Sequence, residues 1–139
     1  IPKFDLSPLP GLRTPGLSRD NLLNLKKVSV INFFASWCLP CRAEHQSLIE
    51  LSQNNEIVLA GINYKDINKD ALDWLTELGI PYTYVGDDFS GRTGIDWGIT
   101  GVPETFIVNR DGKVVHRFSG PLVGVKFKEF KELLTLELR

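Results

Sequence analysis

Residues 28–35, Val-Ser-Val-Ile-Asn-Phe-Phe-Ala, are almost wholly apolar and β-branched or aromatic, broken only by Ser29 and Asn32. A run of that length without alternation marks a strand covered on both faces, as in the middle of a parallel sheet. From Cys41 the period changes: Ala43, Leu48 and Leu51 recur among Arg42, Glu44, Gln46 and Glu50, a helix that Asn54 and Asn55 end. Residues 57–64 form a second apolar run, so strand, helix and strand predict a right-handed crossover unit. Residues 68–78 read as an amphipathic helix with Ala71, Leu72, Leu75 and Leu78 on one face and Gly79 just past its end. A short strand is expected at 82–85, a loop at 87–91 and a further helical turn at 92–97. Residues 105–108 and 113–118 are strands joined by Asn-Arg-Asp-Gly, a connection short enough to force an antiparallel hairpin. A closing helix at 125–138 carries Phe127, Phe130, Leu133 and Leu134. The order β-α-β, α-β, β-β-α predicts an α/β domain with a central mixed sheet flanked by helices.

Ahead of this frame, Pro2, Pro8, Pro10 and Pro15 with Gly11 and Gly16 forbid a regular helix over residues 1–20. An extended lead-in running to residue 27 is expected to wrap the domain edge, with Ser18 capping a short helical turn. A length of 139 residues, 42% of them hydrophobic, suits one domain with a continuous core. The formal net charge of −1 supplies no field to gather nucleic acid, so that class of partner is excluded. No apolar run approaches the roughly 18 residues of a membrane span. The sequence opens at Ile1 and holds no Met, so an upstream segment is expected, whether tag, signal peptide or membrane anchor.

The only cysteines are Cys38 and Cys41, where the first apolar run gives way to the first helical pattern. A helix starting there sets unpaired N–H groups and the positive end of its dipole beside the first sulfur, which favours thiolate. Cys38 is then the nucleophile, and Cys41, one turn on and less exposed, resolves a mixed disulfide formed at Cys38. Pro40 in the first turn forfeits only an N–H that the helix leaves unpaired, and it stiffens the loop. As a structural crosslink the pair closes too short a loop to stabilise much. A zinc site assembled from Cys38, Cys41, His45 and His116 lacks the usual ligand spacing, so no metal and no bound cofactor are expected. Far downstream, Gly101-Val102-Pro103-Glu104-Thr105 precedes the hairpin. Alone, a proline there is an ordinary edge residue. Together with the upstream Cys-x-x-Cys it suggests a cis-proline loop facing the dithiol and offering backbone groups to an extended substrate.

At these residues the chain resembles the thioredoxin superfamily: a buried strand, Trp37-Cys38-Leu39-Pro40-Cys41, a β-α-β unit, and Val102-Pro103 leading into a hairpin and final helix. Within it the chain is similar to the CcmG/DsbE-type thiol:disulfide interchange proteins of cytochrome c maturation. That narrower likeness rests on Gly61-Ile62-Asn63-Tyr64-Lys65-Asp66, Trp74-Leu75 with Gly79 and Pro81-Tyr82, Gly94-Ile95-Asp96-Trp97-Gly98, and Gly101-Val102-Pro103-Glu104-Thr105. The resemblance implies a thioredoxin-like fold with an inserted helix and strand at about residues 66–83. It also implies a thiol:disulfide oxidoreductase in the bacterial periplasm, held to the inner membrane by an N-terminal anchor. A membrane donor of the DsbD or CcdA type would keep it reduced, and the haem-motif cysteines of apocytochrome c, or a CcmH-type dithiol protein, would receive the electrons. A reductase serving another envelope pathway, or a non-catalytic module that binds apocytochrome, are the competing readings.

Where thioredoxins place a buried Asp beneath the dithiol, this chain has Asn32, which cannot shuttle a proton. Glu104, beside Pro103, is the residue expected to take its place as proton acceptor for Cys41 or as an electrostatic brake on Cys38; the alternative is a hydrogen-bonded loop carboxylate. Trp37 is expected to pack as a platform beside the sulfurs. Asp96 is expected to cap a turn, His45 and His116 to have no chemistry, and Tyr64 and Tyr82 to pack the insert.

Overall fold

The computed structural model describes residues 1–139. The strands β1 (Asp5–Leu6) and β2 (Leu17–Ser18) pair antiparallel and are followed by the short helix α1 (Arg19–Leu25). Ser18 caps that helix, its hydroxyl accepting from the Asn21 N–H at 3.1 Å. Then come β3 (Val28–Phe34), α2 (Leu39–Leu51), β4 (Ile57–Tyr64), α3 (Asn68–Leu78), β5 (Tyr84–Asp88) and α4 (Arg92–Trp97). The chain closes with β6 (Glu104–Val108), β7 (Val114–Ser119) and α5 (Gly124–Glu137).

The main sheet runs β5-β4-β3-β6-β7. Its central strand β3 is buried at every position, lies parallel to β4 and antiparallel to β6, and β6 pairs antiparallel with β7. Side chains alternate across the sheet, and the two apolar clusters divide accordingly. Val28, Val30 and Phe34 join Cys41 and Leu48 of α2, Trp74 and Leu75 of α3, and Phe130 of α5. Ile31 and Phe33 face the other way, with Leu22 of α1, Trp97 of α4, Phe106 and Phe4. Asn32 thus shares a face with the cysteines, and Phe33 does not.

The lead-in covers the open edge of β5, where the Val85 N–H donates to Pro15 O and the Asp87 N–H to Ser7 O, both at 2.9 Å. The fifth strand itself departs from the pattern-based expectation of 82–85: it spans Tyr84–Asp88, and Tyr82 stands outside it. Gly86, Asp87 and Asp88 have poor strand propensity, but β4 on one side and the lead-in on the other supply their hydrogen-bond partners. Asp88 ends the strand by accepting from the Thr93 and Gly94 N–H groups, which fixes the start of α4.

Candidate active site

Cys38 is the N-cap of α2, in extended conformation, and its Sγ accepts from the Cys41 N–H at 3.2 Å. Pro40 sits in the first turn. Cys38 and Cys41 are joined as a disulfide with Cα atoms 5.3 Å apart. Cys41 is the more buried of the two, at 1% exposure against 4%. The helix therefore aims its free N–H groups at the outer sulfur and holds the inner one against the sheet.

The loop before Cys38 is tied to the segment after β4. The Asp66 carboxylate accepts from the Ser36 N–H at 2.7 Å, the Ser36 hydroxyl at 2.8 Å, the Ile67 N–H at 2.9 Å and the Asn63 amide at 3.0 Å. Trp37 lies out on the surface at 59% exposure, and its indole N–H donates to Lys65 O at 2.9 Å. The Asn-Tyr-Lys-Asp stretch is thus a clamp that fixes the entry to the dithiol and the start of α3 together.

On the far side, the Val102–Pro103 peptide bond is cis. Pro103 O accepts from the Gly120 N–H at 2.9 Å. Because β6 runs antiparallel to β3 and Glu104 is the register partner of Phe33, the proline loop reaches the same end of the sheet as the dithiol. Glu104 pairs with Arg117 at 2.7 Å and accepts from the Thr100 N–H at 2.8 Å and the Thr100 hydroxyl at 2.9 Å. Arg117 also donates to Gly98 O at 2.7 Å and lies over the Phe106 ring. The alternation of β6 sends Glu104 and Phe106 to the face away from α2, whereas Thr105 points toward it. Glu104 is therefore a buried, ion-paired brace of the 98–103 loop, the hydrogen-bonded alternative, and not a carboxylate under the cysteines.

The carboxylate on the cysteine face is Glu44, which sequence reasoning passed over as part of a polar helix face. It is fully buried, one helical turn beyond Cys41. Its Oε2 accepts from Asn32 Nδ2 at 2.9 Å and its Oε1 from the Leu122 N–H at 3.1 Å. Burial raises its pKa to about 7, against the opposing pull of the Leu122 and Asn32 donors. A signal for it existed: residues 41, 44, 48 and 51 all lie on the buried stripe of α2. Tyr82, expected to pack the insert, also reaches this site, its hydroxyl donating to Asn32 Oδ1 at 2.8 Å. His45 is buried, with Nε2 2.8 Å from Gly79 O, and burial lowers its pKa. Asp96 pairs with Arg92 on the exposed side of α4. Chemically, the site offers one sulfur at a helix N-terminus, a second, more buried sulfur one turn on, and a buried carboxyl group whose pKa burial raises to about 7.

A profile of the Redoxin family matches residues 7–134. The thiol:disulfide interchange protein CycY of Rhizobium leguminosarum bv. viciae is 45% identical over 103 residues, covering 74% of this chain and 55% of that protein. HelX of Rhodobacter capsulatus, also a thiol:disulfide interchange protein, is 45% identical over 121 residues, with 87% and 66% covered. DsbE of Escherichia coli K12 is 41% identical over 123 residues, with 88% and 64% covered. The chain thus spans between 55% and 66% of the length of these relatives. Among solved structures, a thiol:disulfide interchange protein of the thioredoxin family from Chlorobium tepidum superposes with a TM-score of 0.76 at 26% identity, covering 99% of this chain and 94% of that one. A secreted Mycobacterium tuberculosis disulfide oxidoreductase gives 0.79 at 19% identity, with 96% of each chain covered, a likeness of fold alone. With a dithiol at the N-terminus of α2 and a cis-proline loop at the same end of a five-stranded mixed sheet, the chain belongs to the Redoxin family and, within the thioredoxin superfamily, to the CcmG/DsbE-type thiol:disulfide interchange proteins.

Proposed function

We propose that this domain is a protein-disulfide reductase working by thiol-disulfide exchange. The observation that carries the reading is the Cys38–Cys41 pair at the N-terminus of α2, backed by a buried carboxyl group on the same helix face. In the reduced form the Cys38 thiolate attacks one sulfur of a substrate disulfide; the S–S bond breaks, a mixed disulfide forms at Cys38, and the other substrate sulfur leaves and takes a proton. Cys41 passes its thiol proton to the Glu44 carboxylate and attacks Cys38 Sγ. The second substrate sulfur departs as thiolate and takes up the proton from Glu44. Two electrons have moved: the substrate disulfide is a dithiol, and Cys38 and Cys41 are joined.

Pro103 shapes the wall against which an extended substrate lies, Trp37 forms the platform at the other side, Pro40 keeps the turn rigid, and Glu104 holds the proline loop in place. Domain limits follow the same reading: one unit over residues 1–139, with residues 1–27 as lead-in and an insert at about 66–83. The motif likeness to the CcmG/DsbE-type proteins supports a periplasmic location, with the full-length protein anchored to the inner membrane. The substrate is the oxidised cysteine pair of an apocytochrome c haem motif, or a CcmH-type dithiol protein, and a membrane donor of the DsbD or CcdA type re-reduces the domain.

The test is a Cys41→Ser variant, which retains the attacking sulfur and lacks the resolving one. Expressed in the native cells, it accumulates mixed disulfides whose partners are identified by mass spectrometry. Apocytochrome or a dithiol assembly protein on Cys38 sustains the reading. A generic spectrum of envelope proteins, or no adduct, overturns it. A Cys38→Ala, Cys41→Ala form that still supports cytochrome maturation would replace it with a binding role.

A further inference from the structure

Tyr82 comes from the segment between α3 and β5, yet it ends in the middle of the site. Its ring is buried and stacked on Phe34, centroids 5.0 Å apart. The space it fills is left by Gly61 of β4, where a Cβ would lie 2.9 Å from ring carbons of both Tyr82 and Phe34. From there the hydroxyl donates to Asn32 Oδ1 at 2.8 Å. At the other end of that amide, Nδ2 donates to Glu44 Oε2 at 2.9 Å and to Thr105 Oγ1 at 3.0 Å.

A primary amide has a donor end and an acceptor end, and the two exchange places when it turns over. In a buried site the neighbours decide which way it stands. We propose that Tyr82 is a positioning residue, its hydroxyl holding the Asn32 amide in the orientation that presents Nδ2 to Glu44 and so setting the pH at which Glu44 exchanges its proton. This rests on the reading of Glu44 as proton acceptor for Cys41. With the hydroxyl gone, Asn32 Oδ1 is buried without a donor, and the amide gains by turning that oxygen toward Glu44. A protonated Glu44 can donate to it, whereas an ionised one meets acceptor with acceptor. Loss of the hydroxyl therefore favours the protonated carboxyl.

Few other groups compete for control of this carboxyl. Cys38 and Cys41 precede it on α2, and His45 follows it with its ring against Trp74 and Gly79 O. From β3 it meets the neutral Asn32, whose amide also donates to Thr105 of β6, from the chain ahead of α5 it accepts the Leu122 N–H, and Glu104 with Arg117 lies across the sheet. Tyr82 is the remaining titratable neighbour, and burial followed by the Glu44 charge keeps its phenol neutral far above the ordinary range.

The decisive measurement is the carboxyl-carbon NMR titration of Glu44 in the oxidised protein, where neither cysteine titrates, compared with Tyr82→Phe. The expected result is an upward shift of the Glu44 midpoint by about half to one pH unit. The pH midpoint of substrate reduction should move upward with it. An unmoved or lowered midpoint overturns the proposal. A measurement on the unaltered protein guards against a folding defect in the variant. The Asn32 side-chain amide and Tyr82 Cζ resonances follow the Glu44 midpoint if the three form one chain, and signals that stay constant through it also overturn the proposal. Glu44→Gln tests the underlying reading separately: loss of the inflection in the reduction rate sustains it. A wild-type Glu44 titration in Tyr82→Phe then removes the role of Tyr82 alone.

Discussion

Asn32 of the central strand donates its side-chain amide to the carboxylate of Glu44, on the helix that carries the dithiol, at 2.9 Å. The strand position beneath the cysteines is thus neutral, and the acid has moved onto α2, three residues after Cys41. Placed there it lies on the cysteine face of the sheet, where a proton leaving Cys41 can be received. Burial raises its pKa, so at neutral pH the group is divided between its two forms, the condition in which an acid-base group is most effective.

Glu44→Gln removes this exchange. The resolving step, measured as decay of a preformed Cys38 mixed disulfide, should slow by about a hundredfold and lose its inflection near neutral pH. The initial attack by Cys38 should change far less. Equal slowing of both steps, or an inflection that persists, would sink the assignment.

The same group makes the oxidised protein's stability depend on pH. With a folded pKa of about 7 against an ordinary value of 4.5, the folded state holds the proton more tightly than the unfolded one. Stability therefore falls as pH rises from about 4.5 to 7, by on the order of 3 kcal/mol, and levels off above that. Urea titrations from pH 4.5 to 8 should show this slope for the unaltered chain and a flatter one for Glu44→Gln.

Glu104 behaves differently because it sits on the opposite face, bound to Arg117 and Thr100. Glu104→Gln should leave the pH midpoint of reduction where it is. Arg117→Ala strips a buried carboxylate of its counterion and should destabilise the fold by about 1–3 kcal/mol, a range reduced because the Arg is part exposed. A pH midpoint displaced by Glu104→Gln as far as by Glu44→Gln would reverse the two assignments.

Much of the fold could be read from patterning because its long elements are uniform. The strands at 28–34 and 57–64 are almost wholly apolar runs, and α3 spans the residues its periodicity marks. Patterning sets the fifth strand two residues early because Tyr-Thr-Tyr-Val has high β propensity, whereas pairing depends on which residues lie beside β4. At the site, two cysteines at a strand-to-helix junction announce their chemistry from spacing alone. Glu44 does not, since a carboxylate between Arg42 and Gln46 looks solvated until it is set on the stripe of Cys41, Leu48 and Leu51. Nor does Tyr82, which acts on Asn32 from 50 positions away through a gap left by a glycine. Contacts of that separation depend on tertiary packing and leave no local pattern.

Asp66 offers a test of how the dithiol loop is held. Its carboxylate accepts from four donors, two of them on Ser36 immediately before Trp37 and Cys38. Asp66→Ala leaves the buried Asn63 amide and the Ser36 and Ile67 N–H groups without that acceptor. It should cost about 2–4 kcal/mol in a urea titration, since each stranded donor forfeits its desolvation. The loosened loop should also free the Trp37 indole from Lys65 O, which the indole nitrogen reports as an NMR shift. The reduction rate should fall with the pH midpoint unchanged, because Glu44 and Asn32 are untouched. Loss of stability without movement of the Trp37 signal would confine Asp66 to the start of α3 and release it from any part in holding Cys38.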